Sequence, residues 1–195
     1  MGIKIFIEGE CDVTIRRGRK RIIKASNVNL IFLRRVIDQM EIRVESPMNE
    51  LETAYILSGV DVVDMLHKLS SSDVIVSATP TKVYTVTERK IEHILKEREE
   101  KPNIVVDIHT HPLGVAELSE EDKKTMRKVA EIFKEKIPGV RVYFGVHAFS
   151  EENFGRRMEP VAIGNRIRWR SITREHEVAI FDENGKPVVV EIWSG

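Results

Sequence analysis

The chain has 195 residues, of which 42% are hydrophobic and 32% are charged, and its formal net charge at pH 7 is zero. This composition is typical of a globular domain, and the zero net charge gives no general attraction to nucleic acid or to anionic membranes. A single cysteine, Cys11, argues against a disulfide scaffold. No secretory leader and no apolar run of bilayer length are apparent, so we expect a cytoplasmic protein.

Residues 1–27 predict a β-hairpin extension. Alternating apolar residues indicate strands at 3–8, 11–16 and 21–25. The basic segment Arg16 to Arg21 between the last two strands is the strongest charge cluster in the chain and could bind nucleic acid or an acidic partner. A solvated hairpin tip is favoured, because no aromatic residues are interleaved with these charges.

The middle of the chain predicts two helices separated by several strands. A stripe of apolar residues indicates a helix over residues 29–43 (Leu30, Leu33, Ile37 and Met40). A second helix runs from Thr87, as its cap, to about Glu100, with an apolar face and otherwise charged faces (Ile91, Ile94 and Leu95). Short strands are expected between the helices (residues 53–57, 74–76 and 82–86).

The remaining elements complete a mixed α/β pattern. A buried strand at residues 105–111 precedes a helix from Ser119 to about Ile137, and residues 140–147 form the next strand. Residues 148–160 are polar and predict a loop, whereas 161–169 and 176–193 predict strands, the last with a turn at Asp182–Gly185. We therefore expect a mixed sheet flanked by helices.

The segment 105–124 carries the most informative constellation. His109 and His111 are two positions apart near the end of the strand, so their side chains project from one face. Ser119 is a suitable helix N-cap, and Asp122 follows it on the same helix face. The short loop between strand and helix can bring Ser119 and Asp122 back toward the two histidines.

Two imidazoles and one carboxylate form a three-ligand set with one coordination position left open. This is the pattern of catalytic zinc, in which water occupies the open position, whereas structural zinc sites usually have four protein ligands. The bound water then supplies a hydroxide near neutral pH. The competing interpretation is an ordinary capping arrangement of Ser119 and Asp122 beside structural histidines. Asp107 shares the alternation of the histidines, and it could either orient an imidazole or line the site.

His109-x-His111, seven residues, Ser119, two residues and Asp122 together resemble the signature of the JAMM (MPN+) zinc metalloproteases. The resemblance implies a layered domain of the cytidine-deaminase type over about residues 28–160, with residues 161–195 as a C-terminal β extension packed on it. It also implies an upstream catalytic glutamate. Glu52 stands seven residues before Gly59, as expected, although Glu50 would face the same side of an extended segment.

The resemblance implies hydrolysis of an amide or isopeptide bond, after the C-terminus of a ubiquitin-like modifier or sulfur-carrier protein. Zinc bound by His109, His111 and Asp122 would activate water, with Glu52 as general base and the Ser119 hydroxyl stabilising the oxyanion. The modifier or its conjugate would be the partner, no membrane is implied, and a homodimer remains open.

Three alternatives remain in different classes. One is a catalytically silent MPN-type scaffold, but such relatives typically lack the ligands that this chain retains. Another is an amidohydrolase, because Asp107-x-His109-Thr110-His111 resembles the opening motif of that group, but too little chain follows for a barrel of about 250 residues. The third is a nucleic-acid-binding module that uses the Arg16 to Arg21 tip.

Overall fold

The computed structural model describes residues 4–5, 13–14, 29–45, 53–67, 69, 75–79, 82–112, 114–151 and 155–194. Within these ranges the helices are α1 (Arg34–Val44), α2 (Thr87–Glu97) and α3 (Glu120–Lys136). The strands are β1 (Lys4–Ile5), β2 (Val13–Thr14), β3 (Leu30–Leu33), β4 (Ala54–Val60), β5 (Val62–His67), β6 (Ile75–Thr79), β7 (Lys82–Thr85), β8 (Ile104–Pro112), β9 (Arg141–Glu151), β10 (Met158–Ile163), β11 (Arg166–Arg170), β12 (Arg174–Asp182) and β13 (Val190–Trp193).

Nine strands form one mixed sheet in the order β10-β11-β12-β9-β8-β4-β5-β3-β13. β8 is the central strand, antiparallel to β4 and parallel to β9. Its first residues, from Ile104 to Val106, are fully buried, as expected of a strand that is covered on both faces. The strand that carries His109 and His111 is therefore paired with a neighbouring strand along both of its edges.

Helices cover the sheet on both faces and give three layers. Side chains from α2 and α3, such as Ile94 and Phe133, pack on one face, and those of α1, such as Val36 and Met40, pack on the other. Each of these fully buried side chains contributes roughly 1.5–3 kcal/mol through burial of apolar surface. The expected mixed sheet flanked by helices is confirmed.

The predicted helix over residues 29–43 is wrong in its first turn. Leu30–Leu33 forms strand β3, and the helix begins only at Arg34. β3 pairs in parallel with β13, with Leu30 opposite Val190, and buries Leu30 and Phe32. The apolar stripe fitted a helix, but strand partners from the far end of the chain override that local preference.

The loop predicted for residues 148–160 is also wrong. β9 continues to Glu151, and β10 occupies Met158–Ile163. The single strand expected at 161–169 is wrong, because it spans the end of β10, a turn at Gly164 with φ 62° and most of β11. β10 is an outer strand of the sheet, where Pro160 removes no hydrogen bond that an inner neighbour would need.

Helix α2 differs from its prediction at three side chains. Val86 is the N-cap, and Thr87 is the first helical residue and makes no side-chain capping bond. Leu95, expected on the apolar face, is 43% exposed. Lys90, expected on a charged outer face, is instead buried together with Ile91 and Ile94. The buried face of α2 is therefore partly charged, and its charge requires a partner inside the protein.

At the N-terminus, β1 pairs antiparallel with β2. The Arg16 to Arg21 tip and the strand expected at 21–25 lie outside the described residues. Strands β11, β12 and β13 belong to the same sheet as β8. None of the described helices combines the length and the apolar character that crossing a bilayer would need.

Candidate metal centre

The histidines are positioned by the last residues of β8. His109 and His111 project toward the α2 and α3 layer, and Thr110 between them projects to the opposite face. The Thr110 hydroxyl accepts a hydrogen bond from the Thr53 backbone N–H at 2.9 Å, and the Thr110 N–H donates to the Thr53 carbonyl at 2.9 Å. Pro112 is still part of the strand, one residue beyond the predicted end. The end of β8 is thus held to Thr53, the residue that precedes β4.

The start of α3 positions Asp122 through a capping box. The Asp122 backbone N–H donates to Ser119 Oγ at 3.1 Å, and Asp122 Oδ2 accepts from the Ser119 backbone N–H at 2.8 Å and from its hydroxyl at 2.7 Å. Such a cap stabilises a helix by about 1 kcal/mol. The capping role of Ser119 is confirmed, and it fixes the carboxylate of Asp122 relative to the helix.

These local structures bring the two imidazoles and the carboxylate together. His109 Nε2 lies 3.1 Å from His111 Nε2 and 3.6 Å from Asp122 Oδ2. One ligand atom from each of the three residues lies within 4.8 Å of the others. All three side chains are half-buried, so the cluster remains reachable from solvent.

Hydrogen bonding and burial leave both imidazoles suited to bind a cation. His111 Nδ1 is 2.9 Å from the Val115 carbonyl oxygen, which can only accept, so Nδ1 carries a proton and Nε2 is the nitrogen that faces His109. Burial lowers the pKa of His109 to about 4, with Asp122 opposing and His111 adding to the shift. His109 is therefore neutral at pH 7, as a metal ligand must be.

The spacing and chemistry of the cluster fit zinc. Two nitrogens bound to one tetrahedral zinc at about 2.0–2.1 Å lie roughly 3.3 Å apart. The observed separations of 3.1 Å and 3.6 Å bracket that value. Two imidazole nitrogens and one carboxylate oxygen are also the donors that zinc takes in hydrolytic sites.

The cluster lies in a cavity of about 680 Å³ between β7, β8 and α3. Ser119 and Ala54 lie beside the histidines in its lining, and Lys90 and Asp107 also contribute to its wall. Apolar side chains complete the wall (Val83, Val115, Leu118, Met126, Val129 and Phe144). A cavity of this size with a few convergent polar groups is typical of a binding site for part of a substrate.

Asp107 pairs with Lys90. The Lys90 Nζ donates to both carboxylate oxygens at 2.7 Å, and both residues are buried. Of the two roles left open for Asp107 by the sequence, the structure places it in the wall of the cavity. Sequence analysis missed Lys90, because a lysine between charged neighbours on a helix is usually solvated.

Glu52 and Glu50 lie outside the described residues, so the structure does not decide between them. Thr53, which follows Glu52 directly, is the residue bonded to Thr110 between the two histidines. Ala54 pairs with His109 and lines the cavity. The two residues that follow Glu52 therefore lie against the strand that carries the histidines.

A model of the family of prokaryotic homologs of the JAB domain matches residues 42–170. The chain belongs to this family. A crystal structure of a JAB1/MPN domain protein from Archaeoglobus fulgidus is similar over 85% of this chain and 98% of that chain, with 15% sequence identity and a TM-score of 0.41. Comparison with curated proteins gives no match. The JAB/MPN family includes zinc isopeptidases and can bind zinc, and the JAB match spans the whole metal cluster.

A second pair of histidines, His147 and His176, lies on the α1 face of the sheet. His147 Nδ1 is 2.8 Å from the Tyr55 hydroxyl, and His147 Nε2 is 3.2 Å from His176 Nδ1. Both histidines are fully buried, and His176 stacks on Trp169 with 4.7 Å between ring centroids. These contacts agree with the structural role expected for His147.

A serine, a histidine and a glutamate are also bonded in series, as in a serine hydrolase. Ser58 Oγ is 2.7 Å from His67 Nε2, and His67 Nδ1 is 2.6 Å from Glu97 Oε2. Ser58 and His67 are fully buried, and neither lines the cavity. A nucleophile must reach its substrate, so this series is a tie between the end of α2 and strands β4 and β5.

Proposed function

We propose that this JAB-domain protein is a zinc-dependent metalloprotease. Its substrate is an amide or isopeptide bond that follows the C-terminus of a ubiquitin-like modifier or sulfur-carrier protein. The observation that carries the proposal is the convergence of His109, His111 and Asp122 within 4.8 Å beside a cavity. When bound there, zinc polarises a carbonyl group and lowers the pKa of water to about 7.

The chain supplies the proton transfer and the positioning. In the proposal, Glu52 accepts a proton from the attacking water and later passes it to the leaving amine. The bonds between Thr53 and Thr110 support this assignment, because they tie the residue next to Glu52 to the strand of the histidines. The spacing to Gly59 favours Glu52 over Glu50.

Ser119 is proposed to donate its hydroxyl to the oxygen that becomes negatively charged. Its hydroxyl has one proton, which points to Asp122 Oδ2 in the resting arrangement. Donation to a substrate therefore requires that the proton turn away from Asp122, while the oxygen continues to accept from the Asp122 N–H. A lost donor of this kind costs about 3 kcal/mol of transition-state stabilisation.

The cavity wall formed by β7 supports an extended substrate. Val83 and Thr85 of β7 face the cavity, and β7 pairs only with β6 in the described part of the chain. We propose that the C-terminal tail of the modifier lies extended along this hairpin, with main-chain hydrogen bonds to a strand.

The test uses a panel of ubiquitin-like modifiers, each fused through its C-terminus to a reporter. Cleavage of each fusion by the zinc-loaded protein is measured. Glu52→Ala should retain one zinc per chain and lose cleavage, whereas Glu50→Ala should retain both. Loss of cleavage in Glu50→Ala alone would move the base to Glu50. A wild-type protein that binds zinc and cleaves none of the fusions would support the alternative, a silent scaffold.

A further inference from the structure

Three potential metal ligands alternate along the α2 and α3 face of β8, at Asp107, His109 and His111. Neighbouring members of this row are about 6.6 Å apart along the strand. His109 and His111 join Asp122 in the cluster, whereas Asp107 is not part of it. The carboxylate of Asp107 is the one anionic group in this row, and it is directed to another partner.

That partner is Lys90. Its ammonium donates to both oxygens of Asp107 at 2.7 Å, and its side chain is 4% exposed against 10% for the aspartate. A lysine held in this way lies where a cation bound to Asp107 would lie. Burial strengthens the attraction between the two charges and shields it from salt.

We propose that Lys90 is a built-in counter-ion that keeps Asp107 out of the metal centre and thereby sets the charge of that centre. With Asp122 as the one carboxylate ligand, a divalent ion retains a net charge of +1, and with Asp107 added the net charge would be zero. A more positive centre binds the ion less tightly but polarises a substrate carbonyl more strongly. Lys90 is therefore a positioning residue that lowers the affinity of the centre for the metal ion and increases the ability of the bound ion to polarise a carbonyl group.

This inference rests on the metal binding in the proposed function, and its test needs no substrate. The zinc dissociation constant would be measured by competition with a chromophoric chelator, and the absorption spectrum of bound cobalt(II) would report the ligand set. The variants are Lys90→Met, Asp107→Asn, the double variant of both, and Lys90→Arg. Their charge at the pair is −1, +1, 0 and 0, against 0 in the wild type.

The expected order of zinc affinity follows that charge. Lys90→Met should bind about 10- to 100-fold more tightly than the wild type and change the cobalt spectrum, since Asp107 is then free to bind. Asp107→Asn should bind about 10- to 100-fold more weakly, because an unpaired ammonium faces the ion. The double variant and Lys90→Arg should stay near the wild type. If Lys90→Met does not fold, zinc affinity can be compared between Asp107→Asn and the double variant. These two variants also differ only by the positive charge of Lys90.

A matched control separates this role from a simple anchor of α2. Arg98 follows α2 and donates to Asp64 of β5 at 2.7 Å, and neither residue lines the cavity. Arg98→Met should lower thermal stability and leave zinc affinity unchanged. Equal zinc affinity in all variants, or weaker binding in Lys90→Met, would overturn the inference while leaving the proposed function intact. A wild-type protein that binds no zinc would overturn both.

Discussion

The sheet carries a histidine pair on each face, and the two pairs have almost the same spacing. Nε2 of His109 and Nε2 of His111 are 3.1 Å apart on the α2 and α3 face. On the α1 face, Nε2 of His147 and Nδ1 of His176 are 3.2 Å apart. Distance between imidazoles therefore does not distinguish a metal centre from a structural contact.

The difference lies in what surrounds each pair. His109 has the carboxylate of Asp122 at 3.6 Å and a cavity beside it. His147 uses both nitrogens, on Tyr55 and His176, and Nε2 of His176 is 4.0 Å from Glu45, beyond hydrogen-bond distance. A metal centre needs converging ligand atoms, an adjacent anion and access, and the first pair has all three.

The largest expected effect is on zinc. His109→Ala should reduce the zinc content of the purified protein from one per chain to none, because two remaining ligands leave too few bonds. His176→Gln should retain the full zinc content, as its site has no part in the cluster. Metal analysis of both variants after dialysis checks this. Zinc retained in His109→Ala would place the ion elsewhere.

Stability should show the opposite order. In metal-free protein, His147→Ala should lower the free energy of unfolding by about 2–4 kcal/mol, because it leaves a buried cavity and an unpaired Tyr55 hydroxyl. His111→Ala, at a half-buried position, should cost less than about 1 kcal/mol. Urea unfolding in the presence of a chelator measures both. Similar losses in the two variants would contradict the comparison.

The α1-face pair should also make stability depend on pH. Burial lowers the pKa of His176 to about 3, and the nearby Arg174 and Arg157 contribute to the shift. In the unfolded chain this histidine has the ordinary pKa of 6.5, so the unfolded chain takes up a proton at a higher pH than the folded protein. The contribution of His176 to stability is therefore complete above pH 6.5 and is lost as the pH falls toward 3. The slope approaches roughly 1.4 kcal/mol per pH unit for one proton.

His176→Gln removes this titration, so its stability should change less with pH than that of the wild type between about pH 6.5 and 4.5. The neighbouring groups on the same face remain as they were, including Glu45, which lies 4.0 Å away, and His147. Urea titrations at a series of pH values provide the measurement. Parallel curves for the two proteins would show that His176 does not carry the dependence.

A small effect on stability is expected at the cap of α3 on the metal face. Ser119→Ala removes the acceptor for the Asp122 N–H and should cost about 1 kcal/mol of stability. Ser119→Asn, which retains a capping oxygen, should recover most of that loss. Thermal unfolding of the metal-free proteins compares them. An unchanged midpoint in Ser119→Ala would mean that the backbone caps the helix without the hydroxyl.

The sequence by itself determined the parts of the centre that depend on neighbours within a few residues. His109 and His111 share a strand face through simple alternation, and Ser119 and Asp122 share the first turn of α3 through a capping box. The short connection between the two elements made their convergence predictable. These features are local, so periodicity and capping preferences report them directly.

Only the tertiary structure decided the features that depend on distant partners. Leu30–Leu33 is a strand because β13, at the end of the chain, pairs with it. Lys90 is buried because Asp107, 17 residues later, supplies the opposite charge. In both cases the local pattern favoured another state, and long-range burial and pairing contributed more free energy than the local preference.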